Sequence, residues 1–278
     1  MNAVFQPANC ISLLTDFGLE DVYVGQMKGT ILSRNPTARI VDLCHAIPCQ
    51  DVQAAALMLQ ASWQFFPAGT VHLTVVDPGV GSDRRILAAL SAEHLFIAPD
   101  NGLLYPLLED GTIRQVRFLD NPALAAATIS PTFHGRDIMA PAAARLAGGF
   151  PFAKVGPAIK HAVCVHLHLP KPVLKEGCLQ GQILARDHFG NLRSNISKAD
   201  LHTFAPLAEL LVHICGQQLP LSRAYTNAPP GTLLALIDSV GCLEIAVNQG
   251  SAAEVLACAA GEPVTVRRTA SAFSLERL

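Results

Sequence analysis

The sequence contains few charged and few aromatic residues. Of its 278 residues, 15% are charged and 6% aromatic, with a single tryptophan, whereas half are hydrophobic. Disordered chains have the opposite balance, so this composition indicates a globular protein with a mostly aliphatic core. The length suits one large domain or two of ordinary size.

The sequence also lacks the features that mark several classes of protein. Lys and Arg do not cluster and the net charge is −2, so we expect no nucleic-acid partner. No apolar run reaches the ~18 residues of a membrane helix, so we expect no membrane insertion. The eight cysteines form no C-x-x-C pair and no secretory leader is present, which favours free thiols and a cytoplasmic protein.

The hydrophobic pattern divides the chain into two parts. In the first part, short apolar runs alternate with helical patterns, which predicts an α/β domain with a mostly parallel sheet. In the second part, the runs are short and β-like with one helix near 252–259, which predicts a smaller β-barrel or sandwich. The proposed boundaries are 8–168 for the N-terminal α/β domain, 169–177 for a linker, and 178–278 for the C-terminal β-barrel domain.

Three aspartates follow predicted strands of the first part, and each is next to Gly or Pro: Asp16, Asp77 and Asp100. Ligands of open α/β sheets bind beyond the carboxyl ends of the strands, and glycines let the backbone approach a ligand closely. Any one of these segments also fits an ordinary turn. Three of them at equivalent positions favour a binding site.

Two further segments carry candidate groups. His134 lies in the Gly-flanked loop FHGRD before a predicted helix, which makes it the best acid–base candidate among ten histidines. In the second part, Asp187, Phe189 and Asn191 offer a carboxylate, an aromatic face and an amide, which suit a base such as adenine. Taken alone, the first segment also fits an exposed loop and the second a β-turn.

Two groups of potential metal ligands lie close in sequence: Cys164, His166 and His168, and Asp42, Cys44, His45 and Cys49. The first group alternates along an apparent strand, and zinc sites use such residues. No other ligand set has a matching spacing, so a strand and a strand-to-loop transition are the simpler interpretations. A metal-dependent hydrolase remains an alternative.

Together, the motifs resemble those of the S-adenosylmethionine (SAM) hydroxide adenosyltransferase family, relatives of the bacterial fluorinase and chlorinase. The matching segments are TDFG with YVGQMKG, VVDPGVG with RR, APDNGLLYP, FHGRDIMAPAAA, RDHFGN with SN, and LEIAVNQGSAAE. They follow the family order from Thr15 to Glu254 and so cover nearly the whole chain. The resemblance implies an N-terminal α/β domain, a C-terminal β-barrel, and a homotrimer with active sites at the subunit interfaces.

The resemblance also implies roles for individual residues. The hydroxide-handling positions of the family fall on Asp77, Arg84 and His134, with Arg85 as a substitute for Arg84 if the loop is shifted. The substrate-binding positions fall on Asp16 for the ribose, Asp21 for the methionine end, Asp187, Phe189 and Asn191 for methionine and adenine, Ser239 for the carboxylate, and Val247, Asn248 and Gln249 for the adenine edge. No metal or cofactor is implied, since SAM is the substrate.

The chain departs from the family pattern at three places. Val240 stands where the halogenases carry Arg, and Arg193-Ser194 replaces the usual apolar–Thr pair before Asn195. Gln50 occupies a position that is aromatic in the fluorinase. None of these departures affects the three hydroxide-handling positions.

The expected activity is hydrolysis of SAM to adenosine and methionine, by in-line attack of an activated water or hydroxide on the 5′ carbon. An aspartate beside the nucleophile would repel a halide, and the segment from Ile86 to Pro99 leaves no room for the long insertion of the fluorinase. Both features favour hydroxide. The alternatives are a chlorinase-like halogenase and a non-catalytic SAM- or adenosine-binding module.

Overall fold

The computed structural model describes residues 5–269. The chain forms two compact units that divide between His168 and Leu169, and each unit has its own hydrophobic core. The last part of the predicted barrel domain, 270–278, lies outside the described residues.

The first unit is built from strands and α-helices that alternate along the chain. In order, they are Cys10–Thr15 (β1), Tyr23–Arg34 (α1), Arg39–Cys44 (β2), Val52–Ser62 (α2), Val71–Val75 (β3), Ile86–Leu90 (β4), Leu95–Pro99 (β5), Tyr105–Glu109 (α3), Gln115–Phe118 (β6), Ala140–Ala147 (α4) and Ala158–Ile159 (β7). The strands form one sheet in the order β2-β1-β3-β5-β4-β6-β7. The first four strands of that order run parallel, and the others join antiparallel. The predicted α/β class is confirmed, with the parallel pairing concentrated in those four strands.

The central strands are buried on both faces. Leu13 of β1 lies in a hydrophobic cluster with Met27 of α1 and Ala143 of α4, whereas Leu14 lies in another cluster with Leu59 of α2. Successive strand residues point to opposite faces of a sheet, so helices cover both sides of β1. Strands of this kind have continuous apolar runs rather than alternating ones, which is why the sequence CISLLT forms one.

The second unit is a closed barrel. Its elements are Val173–Lys175 (β8), Cys178–Arg186 (β9), Leu192–Ser197 (β10), Lys198–Phe204 (α5), Leu210–Ile214 (β11), Gln217–Ser222 (β12), Leu233–Ile237 (β13), Cys242–Val247 (β14), Ala252–Leu256 (α6) and Pro263–Arg268 (β15). The strand order is β10-β14-β13-β12-β11-β15-β9, and β9 pairs again with β10 to close the circle. The predicted β-barrel is therefore confirmed.

Two segments differ from the sequence-based expectation. The predicted linker, 169–177, contains β8, which forms a hairpin with β9. Glu176 and Gly177 both have positive φ at the hairpin turn, at 51° and 71°. A two-residue type I′ turn requires positive φ at both of its central residues. The apparent strand that carries Cys164 and His166 is irregular, because the N–H of Val165 donates to the carboxylate of Asp100 instead of to a strand.

The helix predicted after the FHGRD loop begins within that loop, at Gly135, and with a different geometry. Gly135–Met139 forms a π-helical turn that leads directly into α4. Such turns are frequent at functional sites. In the part of the chain that the structure describes, no helix combines the length and the apolar character needed to cross a bilayer.

Candidate active site

The carboxyl ends of β1 and β3 border a cavity of about 720 Å³ in the first unit, here called the first pocket. Asp16 directly follows β1, Asp77 lies two residues beyond β3, and His134 precedes the π-helical turn. All three side chains line the first pocket. The structure thus brings together three residues that are far apart in sequence, at the edge of the sheet where the topology favours ligand binding.

Arg84 joins Asp77 to His134. Its Nε and Nη2 donate to the two carboxylate oxygens of Asp77, and its Nη1 donates to Nδ1 of His134 at 3.2 Å. The side chains of Arg84 and Asp77 are only 9% and 5% exposed. A buried pair with two parallel hydrogen bonds is both strong and fixed in geometry.

The bond to Arg84 also fixes the protonation state of His134. A guanidinium group has donors only, so Nδ1 of His134 is the acceptor and the proton of the neutral ring is on Nε2. Burial lowers the pKa of His134 and the charge of Arg84 lowers it further, while Asp77 and Asp137 act in the opposite direction. His134 is therefore neutral near pH 7.

Arg85 and Asp100 belong to a different contact. Nε of Arg85 donates to Oδ2 of Asp100 at 2.8 Å, and Oδ1 of Asp100 accepts the N–H of Val165 at 2.8 Å. Asp100 is buried and does not line the first pocket. Of the two adjacent arginines, Arg84 is thus the one that contacts the pocket-lining side chains of Asp77 and His134, although it does not itself line the pocket. The expectation that all three strand-end aspartates form one site holds for Asp16 and Asp77 only.

Asp16 is held by a strained backbone segment. Its Oδ2 accepts the N–H of Gln50 at 2.8 Å, and Gln50 has a φ of 66°. This left-handed conformation is uncommon for a residue other than glycine and is typical of functional sites. The N–H of Gly18 also donates to the carbonyl of His45 at 2.7 Å, which fixes the other side of the Asp16 loop.

Asp21 neither lines this cavity nor, unlike Arg84, has a side-chain hydrogen bond to Asp77 or His134. It is exposed in the segment before α1 and does not line the first pocket.

An aromatic wall of the first pocket was not predicted from the sequence. Phe17, Tyr23 and Phe133 line the cavity, and their ring centroids lie 5.4–5.9 Å apart. Arg136 places its guanidinium group 4.9 Å from the centroid of the Phe133 ring. A signal was present, because each of these aromatics lies inside or next to a Gly-containing motif: TDFG, YVG and FHG.

A second cavity, of about 890 Å³, lies in the barrel unit and is here called the second pocket. It is lined by the loop between β9 and β10, the turn between β13 and β14, and the segment after β14. Every site residue predicted in this half of the chain lines it: Asp187, Phe189, Asn191, Ser239, Val247, Asn248 and Gln249.

The carboxylate of Asp187 organises its own loop. Oδ1 accepts the N–H groups of Phe189 at 2.9 Å and Asn191 at 2.8 Å, and Oδ2 accepts Nδ2 of Asn191 at 2.9 Å. The ring of Phe189 is left 73% exposed. The loop thus presents an aromatic face on a backbone that its own side chains hold in place.

Sequence reasoning missed four interacting side chains in the second pocket. Nε of Arg193 donates to Oδ2 of Asp238 at 2.6 Å, and the hydroxyl of Tyr225 donates to Oε1 of Glu244 at 2.8 Å. Glu244 is 3% exposed. Burial raises the pKa of Glu244, and burial together with Glu244 raises the pKa of Tyr225. The pattern of polar residues along the strands did not indicate these two pairs. The one hint in the sequence was Arg193, which departs from the family pattern.

The proposed metal-like clusters have other contacts. The ring of His166 packs on Tyr105, with centroids 4.8 Å apart, and Asp42 pairs with Lys28 and His45. Among residues 5–269, no group of three or more His, Cys, Asp or Glu side chains is placed to hold a metal ion.

Comparison with known proteins gives consistent similarities over most of the chain. The model of the SAM hydroxide adenosyltransferase N-terminal domain matches residues 11–156, and that of the C-terminal domain matches 181–265. Proteins named (R)-S-adenosyl-L-methionine hydrolase from Salinispora arenicola and Thermus thermophilus are each 38% identical; the first match covers 92% of this chain and 97% of the relative, and the second covers 91% and 98%.

More distant similarity extends to a halogenating enzyme and to a solved structure. A fluorinase from Actinoplanes sp. is 32% identical, with 94% of this chain and 99% of the relative covered. The crystal structure of an uncharacterized conserved protein from Thermotoga maritima superposes with a TM-score of 0.87 at 35% identity, covering 93% of this chain and 100% of that one.

Proposed function

The chain belongs to the SAM hydroxide adenosyltransferase family, and we propose that it hydrolyses S-adenosyl-L-methionine to adenosine and L-methionine. The observation that carries this proposal is the linked set of Asp77, Arg84 and His134, of which Asp77 and His134 line the first pocket. The sulfonium of SAM already makes methionine a neutral leaving group. What the protein must supply is an oriented and activated water in line with the 5′ carbon.

The protonation state of the set assigns a role to each member. His134 has its ring proton on Nε2 and so donates to the water oxygen, while Arg84 holds the carboxylate of Asp77 in place. Asp77 lines the pocket and is the group that accepts the water proton. The new bond joins the water oxygen to the 5′ carbon, and the electron pair of the broken carbon–sulfur bond stays on sulfur. Asp77 and His134 supply the activation of water and the reaction consumes no redox equivalents, so we propose that it needs no metal or other cofactor.

The two pockets supply different parts of the substrate site. In this proposal Asp16 binds the ribose hydroxyls, and the lining residues of the second pocket bind adenine and the methionine moiety. We propose a homotrimer in which the first pocket of one subunit is completed by the second pocket of another. The support is that the chain has two cavities on separate units. Each cavity has only part of the groups that the substrate requires, so a site formed where two subunits meet would combine them.

We further propose that the physiological substrate is the (R)-sulfonium epimer. The support is the name shared by the relatives from Salinispora arenicola and Thermus thermophilus. Removal of one epimer also gives a purpose to a reaction that would otherwise waste an expensive cofactor.

We also propose a cytoplasmic location. The support is that the eight cysteines are all free thiols, which is typical of proteins in a reducing compartment. Fractionation of the native cells tests this location directly.

The decisive experiment is chromatography of the products after incubation with each SAM epimer separately, with and without chloride and with and without a chelator. We expect adenosine and methionine, faster from the (R)-epimer and insensitive to both additions. Chloroadenosine would show a halogenase, loss of activity with chelator would show a metal-dependent hydrolase, and binding without turnover would show a binding module.

A further inference from the structure

The second pocket is rich in carboxylates. Asp187, Asp238 and Glu244 all line it, and burial of Glu244 keeps its charge poorly screened. A substrate carboxylate that enters such a pocket is repelled unless a cation meets it at a fixed place. The pocket has two cationic side chains, Arg193 and Arg223.

Arg193 is held in place by a buried partner. Its Nε donates to Oδ2 of Asp238 at 2.6 Å, and the Asp238 side chain is 3% exposed. Oδ1 of Asp238 accepts the N–H groups of Val240 at 3.0 Å and Cys242 at 2.8 Å, so the same carboxylate shapes the turn that carries Ser239. The Nε edge of the guanidinium is thereby anchored, while the Nη groups at its far end retain donors for a ligand.

The strand register places Arg193 beside Glu244. The two residues are direct partners in the antiparallel pairing of β10 with β14, and side chains of such partners lie on the same face. A cation and a buried carboxylate side by side are complementary to the carboxylate and ammonium groups of an α-amino acid. Arg223, by contrast, is exposed and follows the end of β12.

We propose that Arg193 is a specificity-determining residue that binds the α-carboxylate of the methionine moiety, in place of the arginine that this chain lacks at Val240. Asp238 positions the guanidinium group and the Ser239 hydroxyl together, so that both face the same ligand group. This inference rests on the proposed function, because it takes SAM as the ligand.

The test compares SAM with decarboxylated SAM, which lacks only the α-carboxylate. We expect Arg193→Gln to lower kcat/KM for SAM by about 10- to 100-fold, mostly through KM, because the contact is remote from the 5′ carbon. The same variant should change kcat/KM for decarboxylated SAM less than about threefold. Arg193→Lys keeps a charge but not the fork geometry, so we expect an intermediate loss for SAM only.

The matched control is Arg223→Gln, which removes the other cation of the same pocket and should not discriminate between the two compounds. An equal loss for both compounds in Arg193→Gln, or a selective loss in Arg223→Gln, would overturn the assignment. Adenosine affinity and Tm of each variant report whether the pocket is intact.

Equilibrium binding separates this inference from the proposed function. The affinities of both compounds are measured by calorimetry in an Asp77→Asn background, with and without Arg193→Gln. If the wild-type protein binds SAM without turnover, the proposed function fails, yet selective loss of SAM affinity still supports Arg193. If turnover is normal and the affinity ratio does not change, only the role of Arg193 fails.

Discussion

Arg84 contacts two groups at once, and these contacts determine which of them is able to accept a proton. Its bond to Nδ1 of His134 occupies the one free acceptor of that ring. Asp77 is bonded through both oxygens, yet each carboxylate oxygen has a second lone pair and the side chain lines the pocket. In the proposed mechanism, His134 therefore orients the water and Asp77 removes its proton.

Substitutions at these two positions test the division of roles. Asp77→Asn removes the proton acceptor and should lower kcat at least ~10²-fold. His134→Gln retains an N–H donor, so its kcat should fall about 10-fold. The kcat of His134→Ala, which has no such donor, should fall at least ~10²-fold. Single-turnover kinetics with SAM measures all three.

Adenosine affinity should stay within about threefold of the wild type in these variants, because no proposed adenine or ribose contact is removed. Asp83→Asn is the matched control, since this exposed carboxylate belongs to the same loop and does not line the pocket. Equal losses in His134→Gln and His134→Ala would contradict the donor role.

A second histidine affects stability rather than catalysis. His72 of β3 is fully buried, with Nδ1 2.7 Å from Oγ of Ser12 and Nε2 3.1 Å from Nδ1 of His94. Burial and, to a lesser extent, His94 lower its pKa from 6.5 to about 3. Between these two values the unfolded chain binds a proton at this residue and the folded chain does not.

The free energy of unfolding should therefore fall as the pH drops below 6.5, by up to about 1.4 kcal/mol per pH unit from this residue alone. Above pH 6.5 the residue is neutral in both states and contributes no pH dependence. Urea unfolding at pH 7, 6 and 5 measures the slope. His72→Asn, which cannot titrate, should show a shallower slope whatever its stability at pH 7, and an unchanged slope would exclude His72 as the source.

At the scale of elements, the sequence predicted the strands with continuous apolar runs and failed on the polar ones. The apolar runs Ile86–Leu90, Leu210–Ile214 and Leu233–Ile237 each form a strand over their whole length, because turn residues or charge end the runs there. Of the barrel strands, β8, β10 and β12 were missed, because exposed edge strands and barrel strands with polar outer faces resemble loops in a single sequence.

The candidate site was predictable to the extent that its residues follow strand ends or resemble family motifs. Asp16, Asp77 and His134 met those conditions. The Arg193–Asp238 and Tyr225–Glu244 pairs did not, because each joins a barrel strand to a connecting segment that only the folded barrel brings near it, and the register of β10 with β14 sets Arg193 beside Glu244. Register is a property of the folded barrel and is not readable from local sequence.

The loop between β9 and β10 depends on Gly190. This residue has a φ of 85°, and a Cβ atom there would overlap Oγ of Ser251. Gly190→Ala should lower the free energy of unfolding by about 2–4 kcal/mol and weaken adenosine binding, since the Asp187–Asn191 loop must shift. Chemical unfolding and calorimetry measure the two effects.

Gly216→Ala is the matched control for this substitution. Gly216 has a similar φ of 74°, but a Cβ atom there would meet nothing within 4 Å. Gly216→Ala should lower the free energy of unfolding by about 1 kcal/mol, the cost of the backbone conformation alone, and should leave adenosine affinity unchanged. If both variants lose the same stability and both bind adenosine normally, the contact with Ser251 does not position the loop.

At the scale of the whole molecule, the proposed trimer predicts complementation between two inactive variants. Asp77→Asn damages the first pocket and Arg193→Gln with Asn191→Ala damages the second. If each site combines pockets from two subunits, randomly mixed trimers regain up to about a quarter of the wild-type sites. The variants are mixed after mild dissociation, and their activity is compared with that of each alone.

Sedimentation of the wild-type protein gives the subunit number that the mixing experiment assumes. No recovery at any ratio, with exchange of subunits shown by mass, would place both pockets of a site on one chain.

The side chain of Asp238 both holds Arg193 and shapes the turn between β13 and β14, and this limits which substitutions the second pocket tolerates. Its Oδ1 shapes the turn whatever residue stands at 193, whereas its Oδ2 is useful as an anchor only when 193 is a cation. Loss of Arg193 would therefore leave the carboxylate of Asp238 without its cationic partner. A new arginine at position 240 would restore a positive charge beside it. Among related proteins we expect the identities at 193 and 240 to covary, with arginine at one position or the other, while 238 stays fixed.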